Sequence, residues 1–194
     1  LQFGAEVYGH AGLEADLEVI DLALDALGGA GIGDVMLDLG DARVLRALLA
    51  GAALDGERLT EMASVLASKD AAALAGLAES LQAEARAGLQ SLLRLYGGHD
   101  VLDAARSTLP TREPINRALD DLAWLATHVA RAHPHVRIGF DLADLSGYAY
   151  YSGPRFSVYA AGSNAALARG GRYDEVGAVF GRNRPAVGFS LAVK

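Results

Sequence analysis

The sequence predicts an α+β fold, an antiparallel sheet with flanking helices and a mainly helical insertion at about residues 41–133. Three observations predict it. Residues 1–39 read as strand, helix, strand; the next stretch to His133 carries helical periodicity; and strand character returns at Val136. The chain has 194 residues, 52% of them hydrophobic, enough for one domain with a sizeable core. No run approaches the roughly eighteen uninterrupted apolar residues of a membrane span. No basic segment followed by an apolar one marks a secretory signal at the start, and a cytoplasmic location is expected. The chain opens on Leu1 and directly on a strand pattern, so we expect one core piece of a longer protein whose N-terminal part is absent. The absence of cysteine excludes disulfides, zinc knuckles and thiol catalysis. A formal charge of −7 argues against a nucleic-acid surface, which needs a basic face.

The elements follow in order. Leu1 to Gly9 alternates, with Phe3, Ala5 and Val7 on one face and Gln2, Gly4 and Glu6 on the other. The polar face suits plain solvent exposure, or a pocket floor in which Gly4 leaves room between two polar arms. Leu13, Leu17, Ile20, Leu24 and Leu27 recur at helical spacing, and Gly28, Gly29 and Gly31 stop that helix. Asp34 to Leu39 reads as a short strand. Asp41 is a candidate N-cap for a helix over Ala42 to Ala50, and Leu54 to Ala67 suggests another. Asp70 to Leu95 is one long helix, or two with a break near Ser80. Gly97-Gly98 ends it, and Asp100 is read as the cap of a short helix to about Ser107, closed by Pro110. Pro114 suits the first turn of a helix through Ala118, Leu122, Leu125 and Val129 to His133, where Pro134 stops it. These apolar stripes are packing surfaces, and no chemistry is assigned to them.

The stretch from Asp141 to Gly153 draws chemical interest. It joins the alternating run Val136, Ile138, Phe140, Leu142 to a second extended run ending near Tyr159, and between them stand Ser146, Gly147, Tyr148, Tyr150 and Tyr151. Clustered phenols among small residues suit a ligand wall; a hairpin with tyrosines on a half-exposed face fits equally well. If the extended run is regular, Tyr150 and Tyr151 fall on opposite faces and only one enters a pocket. Gly170-Gly171 suits a tight hairpin or a close backbone approach to a ligand, but neither a dinucleotide turn nor a P-loop is present. The five histidines are scattered; His133-Pro-His135 reads as a helix end, and no metal site is expected. Arg182 and Arg184 form a basic loop that suits a phosphate, with plain exposure as the default.

Three segments taken together resemble the core of the class II histidyl-tRNA synthetases. Gln2-Phe-Gly-Ala-Glu6-Val-Tyr-Gly9 is similar to the close of that family's second motif, and Ser146 to Ser152 to its Arg-Gly-Leu-Asp-Tyr-Tyr-Asn signature. Gly170-Gly-Arg-Tyr-Asp174 with Pro185-Ala-Val-Gly-Phe189 resembles its glycine-rich strand and the start of its third motif. The order and spacing match across the chain, with a helical insertion where the family has one. The resemblance therefore implies a class II aminoacyl-tRNA synthetase-like antiparallel sheet.

The departures carry information too. Ser146 stands where the family signature has its catalytic arginine, Tyr148-Ala149 replaces Leu-Asp, and Lys194 takes the place of the third motif's usual acid. A guanidinium stabilises charge building on a phosphate through charge-assisted hydrogen bonds, and a short neutral hydroxyl does not. The second-motif and third-motif arginines would fall before Leu1 and after Lys194. Asp141-Leu-Ala-Asp-Leu-x-Gly-Tyr148, Gly170-Gly-Arg-Tyr-Asp-Glu175 and Phe180-Gly-Arg-x-Arg-Pro185 look most like one branch of the family, the regulatory subunits of ATP phosphoribosyltransferase.

That resemblance implies no catalytic residue, no metal and no cofactor. The protein would bind histidine and assemble, as a homodimer within a hetero-oligomer, with the short-form ATP phosphoribosyltransferase catalytic subunit of histidine biosynthesis, away from membranes and nucleic acid. Gln2 would hold the α-amino group, Glu6 the imidazole and Tyr151 its other nitrogen, with Tyr150 in support. Gly4, Ser146, Gly147, Gly170 and Gly171 would supply pocket backbone or wall. The alternatives are a synthetase core that forms histidyl-adenylate, against which Ser146 speaks, and a vestigial scaffold without ligand.

Overall fold

In a computed structural model the described residues are 1–52, 54–144, 147, 150–175, 181 and 183–192. The strands are β1 (Gln2–Tyr8), β2 (Val35–Asp41), β3 (Tyr96–Gly97), β4 (Arg137–Asp141), β5 (Pro154–Ala160), β6 (Ala166–Arg172) and β7 (Ala186–Ala192). They form one seven-stranded sheet in the order β1-β7-β6-β5-β2-β4-β3. All neighbours run antiparallel except β2 and β4, which are parallel. The sheet is the antiparallel one expected with one parallel pair in it, and connectivity is the reason for that pair. The chain leaves the end of β2, passes through the helical segment and re-enters beside β2 in the same direction, the long crossover a parallel pair requires.

The helices are α1 (Leu13–Gly29), α2 (Ala42–Leu48), α3 (Gly56–Ala67), α4 (Ala71–Leu77), α5 (Ala83–Leu92), α6 (Asp100–Thr108) and α7 (Glu113–Ala132). Side-chain caps fix several starts: Asp41 accepts from the Arg43 amide, Asp55 from Arg58, and Asp70 from Ala72 and Ala73. The stretch 70–95 is interrupted, α4 ending at Leu77 and α5 starting at Ala83. Asp100 is the first residue of α6 and not its cap; His99 precedes it and makes no side-chain cap bond. Strand β3, at the Tyr96–Gly97 pair, was not anticipated from the sequence.

One face of the sheet is apolar. Leu37, Leu39, Phe140, Phe156, Val158, Val187 and Phe189 are buried there with Ile20, Leu24 and Leu27 of α1 and Leu119, Leu122, Leu125 and Val129 of α7. The period of two then commits the opposite face to polar and small residues. The register lines up Gly4, Ser190, Arg169, Ser157, Asp38 and Gly139 in one row, and Glu6, Gly188, Gly171, Arg155 and Gly40 in the next.

Ion pairs pin the surroundings of this face. Arg172, 6% exposed, reaches to the start of α1, where it donates to the Asp16 carboxylate and to the Gly12 carbonyl at 3.0 Å. Arg43 joins Asp41 to Asp121 of α7. Lys69, with φ +56°, extends from the α3–α4 junction and donates to both oxygens of Asp141 at 2.8 Å. His133 is a helix-end residue whose Nε2 lies 3.1 Å from Asp21. No helix among the described residues is long and apolar enough to cross a membrane.

Candidate functional site

At its described residues the tyrosine stretch is a turn and not a continued strand. The Asp141 carboxylate accepts from the Ala143 and Asp144 amides at 2.9 and 3.0 Å, capturing donors that a sheet would use and ending β4. Gly147, at φ +78°, then accepts at its carbonyl from the amides of both Tyr150 and Tyr151, at 2.7 and 3.0 Å. The expectation that the two phenols face opposite ways therefore fails. Strand alternation does not apply inside a turn, and both rings line one cavity, edge to face with centroids 5.3 Å apart.

That cavity, of about 260 Å³, opens on the polar face and is bounded by Gly147, Tyr150, Tyr151, Arg155, Phe156, Ser157 and Arg169. Toward β1 lies a second group of phenols. Tyr150 stacks on Tyr173 with centroids 4.7 Å apart, and Tyr8 donates a hydrogen bond to the Glu6 carboxylate. The Glu6 hydrogen bond holds the Tyr8 phenol above its ordinary pKa, and burial followed by the Glu6 charge does the same for Tyr150 and Tyr173. Burial also raises Tyr151, with the Arg155 guanidinium opposing it. All four hydroxyls are therefore protonated at neutral pH, able to donate to a carboxylate or to a ring nitrogen. Among the described residues the buried Tyr173 hydroxyl makes no hydrogen bond.

The glycines define the floor. The side-chain position of Gly171 is taken by the Pro154 carbonyl at 2.7 Å, Arg155 Cα at 2.8 Å and the Tyr151 ring at 2.9 Å, so the ring lies directly over backbone. A side chain at Gly188, opposite Glu6, would meet Glu6 Cγ at 2.7 Å and the Tyr173 hydroxyl at 3.1 Å. Gly170 faces the core and makes room for Phe156, not for the site. The Gly170–Gly171 pair is inside β6, and the hairpin turns earlier, around Gly162 at φ +76°.

Of the residues singled out from sequence, Glu6, Tyr150, Tyr151, Gly147 and Gly171 meet on this face. Gln2 and Gly4 share it along β1, while the cavity wall is formed from β5, β6 and the tyrosine turn. Ser146, Tyr148, Ala149, Phe180, Arg182 and Lys194 lie outside the described residues. Tyr8, Tyr173, Arg155, Ser157 and Arg169 were missed. A period-two reading outward from Glu6 reaches Tyr8, and one from Gly171 reaches Arg169. The meeting of Glu6 with Tyr173 required the pairing of β7 with both β1 and β6. Among the described residues no group of three or more histidines, aspartates or glutamates is placed to hold a metal. Chemically, the arrangement offers a carboxylate, neutral phenols and two guanidiniums around a glycine floor, which suits the binding of a small zwitterion.

Comparison with known proteins agrees with this architecture. The chain is 55% identical along its whole length to a protein from Verminephrobacter eiseniae (strain EF01-2) named ATP phosphoribosyltransferase regulatory subunit, of which it covers 50%. It thus spans about half the length of the curated relatives it matches. A Bacillus halodurans structure described as an ATP phosphoribosyltransferase regulatory subunit/histidyl-tRNA synthetase superimposes with a TM-score of 0.80 at 30% identity, over 98% of this chain and 50% of that one. A chain of the ATP phosphoribosyl transferase (HisG:HisZ) complex from Thermotoga maritima shares the fold, with a TM-score of 0.74 at 19% identity over 98% of this chain and 65% of that one. The family model for histidyl-tRNA synthetase matches residues 1–194, and the chain belongs to that family.

Proposed function

We propose that this chain is the core of a regulatory subunit of ATP phosphoribosyltransferase, a family member that binds histidine and forms no adenylate of its own. It assembles, as a homodimer within a hetero-oligomer, with the short-form catalytic subunit at the first step of histidine biosynthesis in the cytoplasm. The observation that carries this reading is 55% identity along the entire chain to a relative of that name. Ser146, standing at the position of the synthetase arginine, supports the loss of adenylation, because no guanidinium at that position stabilises charge on a reacting phosphate.

In the proposed complex Gln2 receives the α-amino group, and Glu6 meets the imidazole and fixes its tautomer or its protonated form. Tyr151 reaches the second ring nitrogen and Tyr150 stands in support. The cluster of Glu6 with Tyr8, Tyr150 and Tyr173 favours this orientation, since a carboxylate backed by neutral donors selects a ring bearing N–H over an apolar side chain. Regulation follows if histidine binds one assembly state more tightly than another, since equal affinity shifts no equilibrium.

The test uses the full-length protein. Calorimetry should detect histidine binding, and Glu6→Gln should weaken it by at least about 10-fold through loss of a charge-assisted hydrogen bond. ATP–pyrophosphate exchange with histidine should stay at background. Exchange at a synthetase-like rate would assign the chain to an active synthetase. An absence of histidine binding would leave a scaffold.

A further inference from the structure

The seat as described holds partners for an amino group and an imidazole, yet a free amino acid also carries a carboxylate. Two described guanidiniums line the cavity, and they are in different situations. Arg155 is 3% exposed and engaged through Nη2, which donates to Asp144 at 2.9 Å, while its Nε is buried and makes no hydrogen bond among the described residues. Arg169 is exposed, and no hydrogen bond or ion pair joins it to any described residue. It projects from β6 on the polar face, flanked in register by Ser190 of β7 and Ser157 of β5. The Ser157 hydroxyl makes no hydrogen bond among the described residues.

We infer that Arg169, with the Ser157 hydroxyl beside it, is the anion receptor of this seat and holds the ligand's α-carboxylate. The inference rests on the amino-acid-binding reading above and supplies the one ligand group which that reading leaves without a partner. Register gives the orientation. Arg169 lies in the row of Gly4, on the Gln2 side of the row that carries Glu6, Gly188 and Gly171. The end of the ligand read by Gln2 is the end that carries both α-substituents, so amino group and carboxylate meet Gln2 and Arg169 from opposite sides. Between those two side chains the β1-to-β6 interval is two strand spacings, roughly 10 Å. Long side chains close that interval around a small molecule, and Gly4 puts no side chain between them, its Cβ position being taken by the Phe189 backbone carbonyl.

The Tyr151 phenol forms the other wall, with both guanidiniums favouring its ionised form against the larger effect of burial. The positive charge that the sequence lacks at position 146 is thus supplied by a different residue, Arg169. It is aimed at a ground-state carboxylate and not at a reacting phosphate.

Calorimetry on the full-length protein tests this with histidine, with histidinol, in which a hydroxymethyl group replaces the carboxylate, and with inorganic phosphate. Wild type should prefer histidine to histidinol by about 10- to 100-fold, the range of one charge-assisted contact. Arg169→Met should weaken histidine by that factor and leave histidinol within about 3-fold, and Arg169→Lys should retain part of the preference. Because Arg169 is exposed and pairs with no described residue, both variants should melt with wild type. If wild type binds histidine and Arg169→Met weakens neither ligand, or both equally, the carboxylate assignment fails while histidine binding stands. If wild type binds neither, both readings fall. Phosphate binding lost in Arg169→Met, without a histidine preference in wild type, would overturn the assignment in favour of a phosphate.

Discussion

Asp38 offers a quantitative test of the polar face. It sits in the middle of β2, half-buried, in register with Ser157 on one side and Gly139 on the other. Burial pushes its carboxyl up to about 6; the Arg155 guanidinium works against that, the Asp141 and Asp144 carboxylates reinforce it, and Lys69 opposes it. An unfolded chain returns the group to about 3.9. The folded state therefore binds this proton more tightly, and the stabilisation it contributes is complete below about pH 4 and lost as the pH rises through about 6. Two pKa units correspond to about 3 kcal/mol, reduced to about 2 kcal/mol because the carboxyl keeps partial contact with solvent.

Asp38→Asn removes the titration while preserving shape, and Arg155 keeps Asp144 as its partner. The variant should match wild type near pH 4 and exceed it by about 2 kcal/mol at pH 7.5, with the difference developing between those values. Urea unfolding at pH 4, 6 and 7.5 measures this. A variant less stable than wild type at pH 7.5 would refute the reasoning, since attraction to Arg155 would then outweigh burial.

Two further predictions concern the scaffold. Asp16→Ala removes the main charged partner of the buried Arg172, leaving Asp174 at 3.4 Å, and should cost about 3–5 kcal/mol in chemical denaturation, with Asp16→Ala/Arg172→Met recovering much of the loss. Gly171→Ala places a methyl group 2.7 Å from the Pro154 carbonyl and 2.9 Å from the Tyr151 ring, and should lower stability by about 1–3 kcal/mol while weakening histidine binding; unaltered melting and affinity would contradict the close packing.

Particular residues show what could be read in advance. The β1 alternation placed Gln2, Gly4 and Glu6 on one face, and the register confirms that arrangement because a period of two leaves no other choice once Ala5 and Val7 pack inward. The helical stripes of α1 and α7 likewise gave the helix faces that pack on the sheet, because a period of 3.6 sets one side of each helix inward. The tyrosine turn was misread because Asp141 competes for backbone donors through its side chain, a local effect that apolar alternation does not register. Strand β3 is only two residues long, too short to carry a period.

By itself the sequence determined the α+β class, the chain order of most elements, the candidates for one arm of the site and the family resemblance. These follow from side-chain periodicity and from motif residues near one another in the chain. Tertiary structure decided the parallel pairing of β2 with β4, the gathering of both tyrosine rings into one cavity, and the placing of Arg169 and Ser157 across the sheet from Gly4. Those features depend on which strands become neighbours. Strand pairing brings together residues more than a hundred positions apart, and the local patterns that specify each strand hold no information about its partner.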